Sequence, residues 1–173
     1  QHDRTDCGPT CLRIIANYFG KDFSLEYLRE QSFIGKDGVS LLNTKILAEK
    51  LGFETASVKL DRQTLIEEQP LPCILHWNQN HFVVLYKIKK KIFSNKLKFY
   101  LADPEHGKAV LNEEQFAKAW LSTQDEKGVA LLLSPTDNFY CQENLSPKNN
   151  GLSFLWKYIH PNKKQLFSLF SLT

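Results

Sequence analysis

Three residues with the side chains needed for thiol chemistry occur along this chain in the order Cys7, His81 and Asp103. A cysteine thiolate is a strong nucleophile, a histidine beside it can take the thiol proton, and an acid can orient that histidine. Taken singly, each residue has an ordinary explanation, because most free cysteines are small buried residues and histidine and aspartate are common in turns. Their order and their positions at the ends of predicted elements together indicate a nucleophilic site.

Cys7 stands at the start of the first predicted helix. Asp6 can cap the exposed amides of this helix, and Pro9 suits its first turn. Apolar residues then recur at helical spacing until Gly20. The N-terminus of a helix favours negative charge and therefore supports a thiolate nucleophile. Gly8 leaves space beside the sulfur.

His81 and Asp103 stand at the ends of predicted strands. His81 follows the polar turn at residues 78–80 and precedes the apolar run at residues 82–86, which predicts a buried strand. Asp103 directly follows the predicted strand at residues 98–102. A histidine at a strand end can face a helix N-terminus across a cleft, and a carboxylate at the end of a later strand can reach it.

The elements that must position these residues are helical first and extended afterwards. Besides the first helix, helices are predicted over residues 24–31, 40–51, 61–68 and 112–120. Strands are predicted over residues 53–60, 73–77, 81–88, 98–102 and 129–133. A charged connection is predicted over residues 87–96. This order is typical of an α+β fold in which an N-terminal helical half packs on an antiparallel sheet half.

The 173 residues are enough for one compact domain with a short extension. We predict a folded domain over residues 1–134, a linker rich in Pro, Asn and Ser over residues 135–151, and an amphipathic segment over residues 152–173. That last segment fits either a membrane interface or a helix packed on the domain. We expect the chain to be a piece of a longer protein, because it contains no methionine.

Charge and composition exclude several classes of protein. The net charge of +3 is small and the basic residues are mostly scattered, so we expect no nucleic-acid partner. We expect no signal peptide, because the first four residues are polar and no apolar run follows them, and the sequence has no run of roughly 20 apolar residues that could cross a bilayer. The four cysteines lack the spacing of a redox pair or a zinc site, so we expect reduced thiols. We expect Cys11 to face the core, although it lies close enough to Cys7 to compete with it by oxidation.

The segment QHDRTDCGPTCL at residues 1–12 resembles the opening motif of the C39 peptidase family. The family has a glutamine six residues before its nucleophile and an Asp-Cys-Gly core. Later segments resemble its next landmarks in the right order: YFG at 18–20, LEYLR at 25–29, GVS at 38–40, AEKLG at 48–52, PCILHW at 72–77, HFVVL at 81–85, and ADP at 102–104 followed by Gly107. The resemblance runs from residue 1 to about residue 134.

The resemblance implies a papain-like cysteine peptidase fold and a role for each site residue. Cys7 is then the nucleophile, His81 the general base and acid, and Asp103 the acid that orients His81. Gln1 is the oxyanion donor through its carboxamide N–H, and the backbone N–H of Cys7 is a second donor.

The resemblance also implies a substrate and partners, because C39 domains stand at the N-terminus of bacterial ABC exporters that process bacteriocins. The expected substrate is the leader peptide of a secreted precursor, cut after Gly-Gly or Gly-Ala and bound as an amphipathic helix. The expected partners are the transmembrane and nucleotide-binding domains of the same exporter, with a homodimeric full-length protein at the cytoplasmic face of the bacterial inner membrane. No cofactor is expected in this domain, and ATP only at the nucleotide-binding domain.

Three other functions remain open at this point. Some exporters carry an inactive version of this domain that only docks the leader, although such domains usually lack the cysteine. A second alternative is a papain-like amidase or acyltransferase. A third is a metal-binding module built from Cys7, Cys11 and a histidine.

Overall fold

The computed structural model describes residues 6–32, 40–90, 96–121 and 126–142. Three helices come first and an antiparallel sheet follows, which confirms the predicted α+β arrangement. The elements are α1 Cys7–Tyr18, α2 Leu25–Gln31, α3 Leu41–Lys50, β1 Phe53–Asp61, α4 Arg62–Glu68, β2 Cys73–Trp77, β3 His81–Lys90, β4 Leu97–Asp103, β5 Gly107–Asn112, α5 Glu113–Trp120, β6 Lys127–Pro135 and α6 Asp137–Cys141.

Side-chain caps explain where most of the helices begin. The hydroxyl oxygens of Ser24 and Ser40 accept hydrogen bonds from backbone N–H groups in the first turns of α2 and α3. Asp61 caps α4 in the same way, and Asn112 forms a capping box with Gln115 at the start of α5. Each cap supplies an acceptor for an amide that has no partner inside the helix.

The prediction that Asp6 caps α1 is wrong. Asp6 makes no side-chain capping hydrogen bond. Its carboxylate instead accepts hydrogen bonds from the guanidinium group of Arg29, with Nε 2.8 Å from Oδ1. Because a bidentate Arg–carboxylate pair uses both oxygens of the acid, Asp6 ties the start of α1 to α2.

The six strands form one antiparallel sheet in the order β1-β6-β2-β3-β4-β5. Helix α1 packs against β3 and β4 on one face of this sheet, where Ile74, Phe82, Val84 and Ala102 join the core. Alternate residues of the same strands point to the other face, as the period of two in a strand requires, and there they pack against α5. The sheet is therefore buried on both faces around β3, and α1 packs against the strand that begins with His81.

The folded domain extends beyond the predicted boundary at residue 134. Pro135 closes β6, and the side chain of Phe139 in α6 is fully buried. Its ring lies 4.4 Å from the ring of Phe53 and 6.3 Å from that of Phe23, measured between centroids. The first part of the predicted linker is therefore packed structure, while the rest of the linker and the segment at residues 152–173 lie outside the described residues.

The sequence also underestimated the sheet. Strand β5, Gly107–Asn112, was not predicted, and β3 continues to Lys90. β5 is an edge strand whose residues are exposed or half-buried, so it lacks the long apolar run that marks a buried strand. Residues 91–95 of the predicted charged connection lie outside the described ranges.

None of the helices in the described ranges is both long enough and apolar enough to span a bilayer.

Candidate active site

The antiparallel pairing of β3 and β4 brings His81 and Asp103 together. His81 is the first residue of β3 and Asp103 is the last residue of β4, so the two lie near the same end of the strand pair. The Nε2 atom of His81 lies 2.9 Å from Oδ1 of Asp103, and the two side chains are 19% and 15% exposed. The structure therefore places Asp103 on a neighbouring strand within hydrogen-bond distance of His81.

The third residue of the predicted site comes from the helical half. Cys7 is the first residue of α1, is 6% exposed, and makes a side-chain hydrogen bond with His81. Because Asp103 engages Nε2 of the imidazole, Nδ1 is the ring nitrogen left to face the sulfur. The structure thus joins Cys7, His81 and Asp103 in one hydrogen-bonded chain.

The surroundings of His81 favour its protonated form. The hydrogen bond with Cys7 raises the pKa of His81, and burial opposes this effect. The hydrogen bond and the negative charge of Asp103 raise it further, so that the pKa of His81 reaches about 9. At neutral pH His81 is then an imidazolium that donates to Asp103 from Nε2 and to the sulfur from Nδ1, which is the partner a thiolate needs.

Asp103 is an ionised hydrogen-bond acceptor. Burial acts to raise the pKa of its carboxyl group, but hydrogen bonds from His81, from the backbone N–H of Glu105 and from His106 outweigh burial and lower it. An ionised carboxylate has no proton to donate, so Nε2–H of His81 is the donor. This bond fixes the imidazole with Nδ1 directed away from Asp103.

His106 is a residue of the site that the sequence analysis missed. Its Nδ1 lies 3.1 Å from Oδ2 of Asp103, on the oxygen that His81 does not use. The spacing Asp-x-x-His after a strand is a signal that could have indicated it, because a turn that starts at an aspartate can bring the third following residue back to the carboxylate.

Cys11 lies beneath Cys7, one helical turn further along α1, and is fully buried as predicted. Its thiol donates a hydrogen bond to the backbone oxygen of Phe82, with 3.4 Å between Sγ and oxygen. Burial, and then the charges of Cys7 and Asp103, raise the pKa of Cys11 well above its ordinary value. Cys11 therefore stays protonated and does not compete with Cys7 as a nucleophile.

Three further expectations concern the oxyanion donor, the cysteines and a possible metal site. Gln1, the predicted oxyanion donor, lies outside the described residues. All four cysteines are free thiols, with Cys141 exposed and the other three buried. The described residues contain no group of three or more His, Cys, Asp or Glu side chains arranged to hold a metal ion.

The helical half and the sheet half each contribute one side of this site, as in the papain-like cysteine peptidases. Comparison with known sequences narrows the class further. The chain belongs to the Peptidase C39 family, a family of cysteine peptidases whose sequence profile matches residues 1–138.

Characterised relatives and solved structures agree with this assignment. The chain is 31% identical to the colicin V secretion/processing ATP-binding protein of Escherichia coli over 100% of its own length and 23% of that protein. It is also 31% identical to a double glycine motif protease from an AMS/PCAT transporter, solved in complex with the leader peptide. That match has a TM-score of 0.67 and covers 79% of this chain and 89% of the other.

The peptidase domain of Streptococcus ComA, described as a bi-functional ABC transporter involved in a quorum sensing pathway, gives a similar result. It is 31% identical with a TM-score of 0.64, over 79% of this chain and 96% of that domain. These matches confirm the papain-like C39 fold. Among the secretion, processing and transport ATP-binding proteins that resemble it, the chain spans between 17% and 23% of the length of three.

Proposed function

We propose that this chain is the peptidase domain of a peptide exporter, and that it cuts the leader from a secreted precursor after Gly-Gly or Gly-Ala. The hydrogen-bonded chain Cys7–His81–Asp103 is the observation that carries this proposal. Its membership of the C39 family and its likeness to a double glycine motif protease support the choice of substrate.

The first half of the proposed reaction forms a thioester. The thiolate of Cys7 attacks the carbonyl carbon of the second small residue and gives a tetrahedral oxyanion. The imidazolium of His81 then donates its proton to the leaving nitrogen, the peptide bond breaks, and the mature peptide departs with a free amino group. The leader remains bound to Cys7 as an acyl group.

The second half regenerates the site. His81, now neutral, takes a proton from a water molecule, whose oxygen attacks the thioester carbon. The leader leaves with a free carboxyl group, and the proton on His81 pairs again with the thiolate of Cys7. Asp103 holds Nε2–H throughout, so that Nδ1 is the nitrogen that exchanges protons.

The oxyanion is stabilised by hydrogen-bond donors aimed at it. We assign this role to the carboxamide N–H of Gln1 and to the backbone N–H of Cys7, which belongs to the first turn of α1, where N–H groups point out of the helix. Losing one such donor typically slows a peptidase by about 10²–10³.

The rest of the proposal concerns the longer protein. We place the domain at the cytoplasmic face of a bacterial cell membrane, beside the transmembrane and nucleotide-binding domains of the same exporter, in a homodimer. Full-length relatives with secretion and processing functions support this context, and these relatives are described as ATP-binding proteins. ATP then acts at the nucleotide-binding domain, and peptide cleavage by Cys7 needs no cofactor.

The proposal is tested by incubating the chain with a synthetic precursor that carries a double-glycine leader and reading the products by mass spectrometry. The controls are the Cys7→Ala variant and a precursor whose second glycine is replaced by leucine. We expect one cut directly after the second glycine, absent with either control. A peptide that binds the wild-type chain but stays intact would instead favour the leader-docking function.

A further inference from the structure

Asp103 is held by two histidine side chains, one on each oxygen. Nε2 of His81 lies 2.9 Å from Oδ1, and Nδ1 of His106 lies 3.1 Å from Oδ2. Because the carboxylate is ionised and can only accept, both imidazoles donate to it. The hydrogen-bonded chain that starts at Cys7 therefore does not end at Asp103 but continues to His106.

The turn that carries His106 is itself built on Asp103. The backbone N–H of Glu105 donates to Oδ1 over 2.8 Å, and the backbone N–H of His106 donates to the same oxygen over 3.3 Å. These bonds fold the chain back after β4 and bring the side chain of His106 to the carboxylate. Both backbone bonds end on Oδ1, whereas the side chain of His106 reaches Oδ2.

We infer that His106 is a positioning residue of the peptidase site, which acts by fixing the rotation of the Asp103 carboxylate. Rotation about the Cβ–Cγ bond of an aspartate is soft, so a carboxylate held through one oxygen can still swing. A donor on Oδ2 restrains that rotation and keeps Oδ1 aimed at Nε2 of His81. This inference rests on the proposed function, in which Asp103 orients His81.

The expected effect is moderate, because the side chain of His106 is 73% exposed and water competes for the bond. A single hydrogen bond of this kind corresponds to about a three- to tenfold change in rate. We expect the substitution to change the rate of the chemical step. The side chain of His106 contacts Asp103, so it can affect the reaction through that residue.

A matched pair of variants isolates the hydrogen bond from the shape of the side chain. Leucine and asparagine have the same branched shape, but only asparagine presents an N–H group near the position of Nδ1. We expect His106→Leu to lower kcat for leader cleavage about three- to tenfold with little change in KM, and His106→Asn to stay within about twofold of wild type.

A second readout makes the test independent of the leader. The rate at which iodoacetamide alkylates Cys7 reports on the pairing of His81 with the thiol and requires no peptide substrate. His106→Leu is expected to slow this alkylation, and His106→Asn to preserve it. If wild type fails to cut the leader, the proposed function fails, while the alkylation rates still decide the role of His106.

Two results would overturn the inference. If both variants alkylate at the wild-type rate, His106 does not position the site. If alkylation of Cys7 is slowed equally in both variants, the hydrogen bond that His106 donates to Asp103 does not account for the effect. Thermal unfolding of each variant provides the fold control, and the Tm is expected to stay close to that of wild type because the side chain of His106 is mostly exposed.

Discussion

The thiol of Cys11 donates a hydrogen bond to the backbone oxygen of Phe82, the residue that follows His81 in β3. Cys11 lies one helical turn after Cys7, so this bond connects the helix that carries the nucleophile to the strand that carries its base. The bond is fully buried, where water cannot replace a lost partner. The relative placement of Cys7 and His81 is therefore supported from inside the core.

We expect Cys11→Ala to destabilise the chain by about 1–3 kcal/mol, because it leaves a small void and removes a buried hydrogen bond. Urea denaturation measures the change in unfolding free energy. The matched control is Cys141→Ala, which removes the exposed thiol and is expected to change stability by less than about 0.5 kcal/mol. Equal effects of the two substitutions would mean that the bond to Phe82 contributes nothing.

The second prediction concerns the pKa of His81. The hydrogen bond with Cys7 is the largest cause that raises this pKa to about 9, and Asp103 contributes less. Cys7→Ala is therefore expected to lower the pKa of His81 towards 6.5, and Asp103→Asn to lower it by a smaller amount. An NMR titration of the imidazole protons measures all three values, and a His81 pKa near 6.5 in wild type would contradict the hydrogen-bonded chain.

The same shift predicts how cleavage depends on pH. The leaving nitrogen takes its proton from His81, so activity is expected to fall as pH rises through about 9, where His81 loses that proton. Because Asp103→Asn lowers the pKa of His81, the alkaline fall should move to lower pH in that variant. The measurement is kcat/KM against pH for both forms, and an unmoved alkaline limb in Asp103→Asn would remove His81 as its cause.

The fourth prediction tests whether α6 belongs to the domain. Phe139 is fully buried against Phe53, Phe19 and Phe23, whereas the neighbouring Tyr140 is 52% exposed. We expect Phe139→Ala to cost about 3–5 kcal/mol of unfolding free energy. Tyr140→Ala is the control and should cost much less. A small effect of Phe139→Ala in urea denaturation would place the boundary of the packed domain before α6.

The sequence predicted the core of this site because each of its residues stands at the end of a strongly patterned element. Cys7 is the first residue of an amphipathic helix, and His81 is the first residue of a strand that continues with an apolar run. The strand pairing that joins His81 to Asp103 could not be derived from composition or period, because a period of two identifies strands without saying which ones are neighbours. For these residues the resemblance to the C39 motifs supplied what local patterns lack.

The parts that the sequence missed depend on contacts distant in the chain. Asp6 looked like a helix cap, but Arg29 in α2 is its partner. Phe139 stands in a polar stretch typical of a linker, and only its contacts with aromatic rings that lie far away in the sequence, such as that of Phe53, explain its burial. His106 was missed because its role depends on a turn that Asp103 itself creates, and the Asp-x-x-His spacing indicates this role only once that turn is recognised.

The central claim, that His81 activates Cys7 as the nucleophile, is tested most directly by competition among the cysteines of one chain. Cys7 is only 6% exposed, whereas Cys141 is exposed, so accessibility alone predicts that Cys141 reacts first. Limited alkylation with iodoacetamide near pH 6.5, followed by peptide mapping, ranks the thiols. We expect Cys7 to be alkylated faster than Cys141, and the order to reverse in His81→Ala. Faster alkylation of Cys141 in wild type would contradict the account.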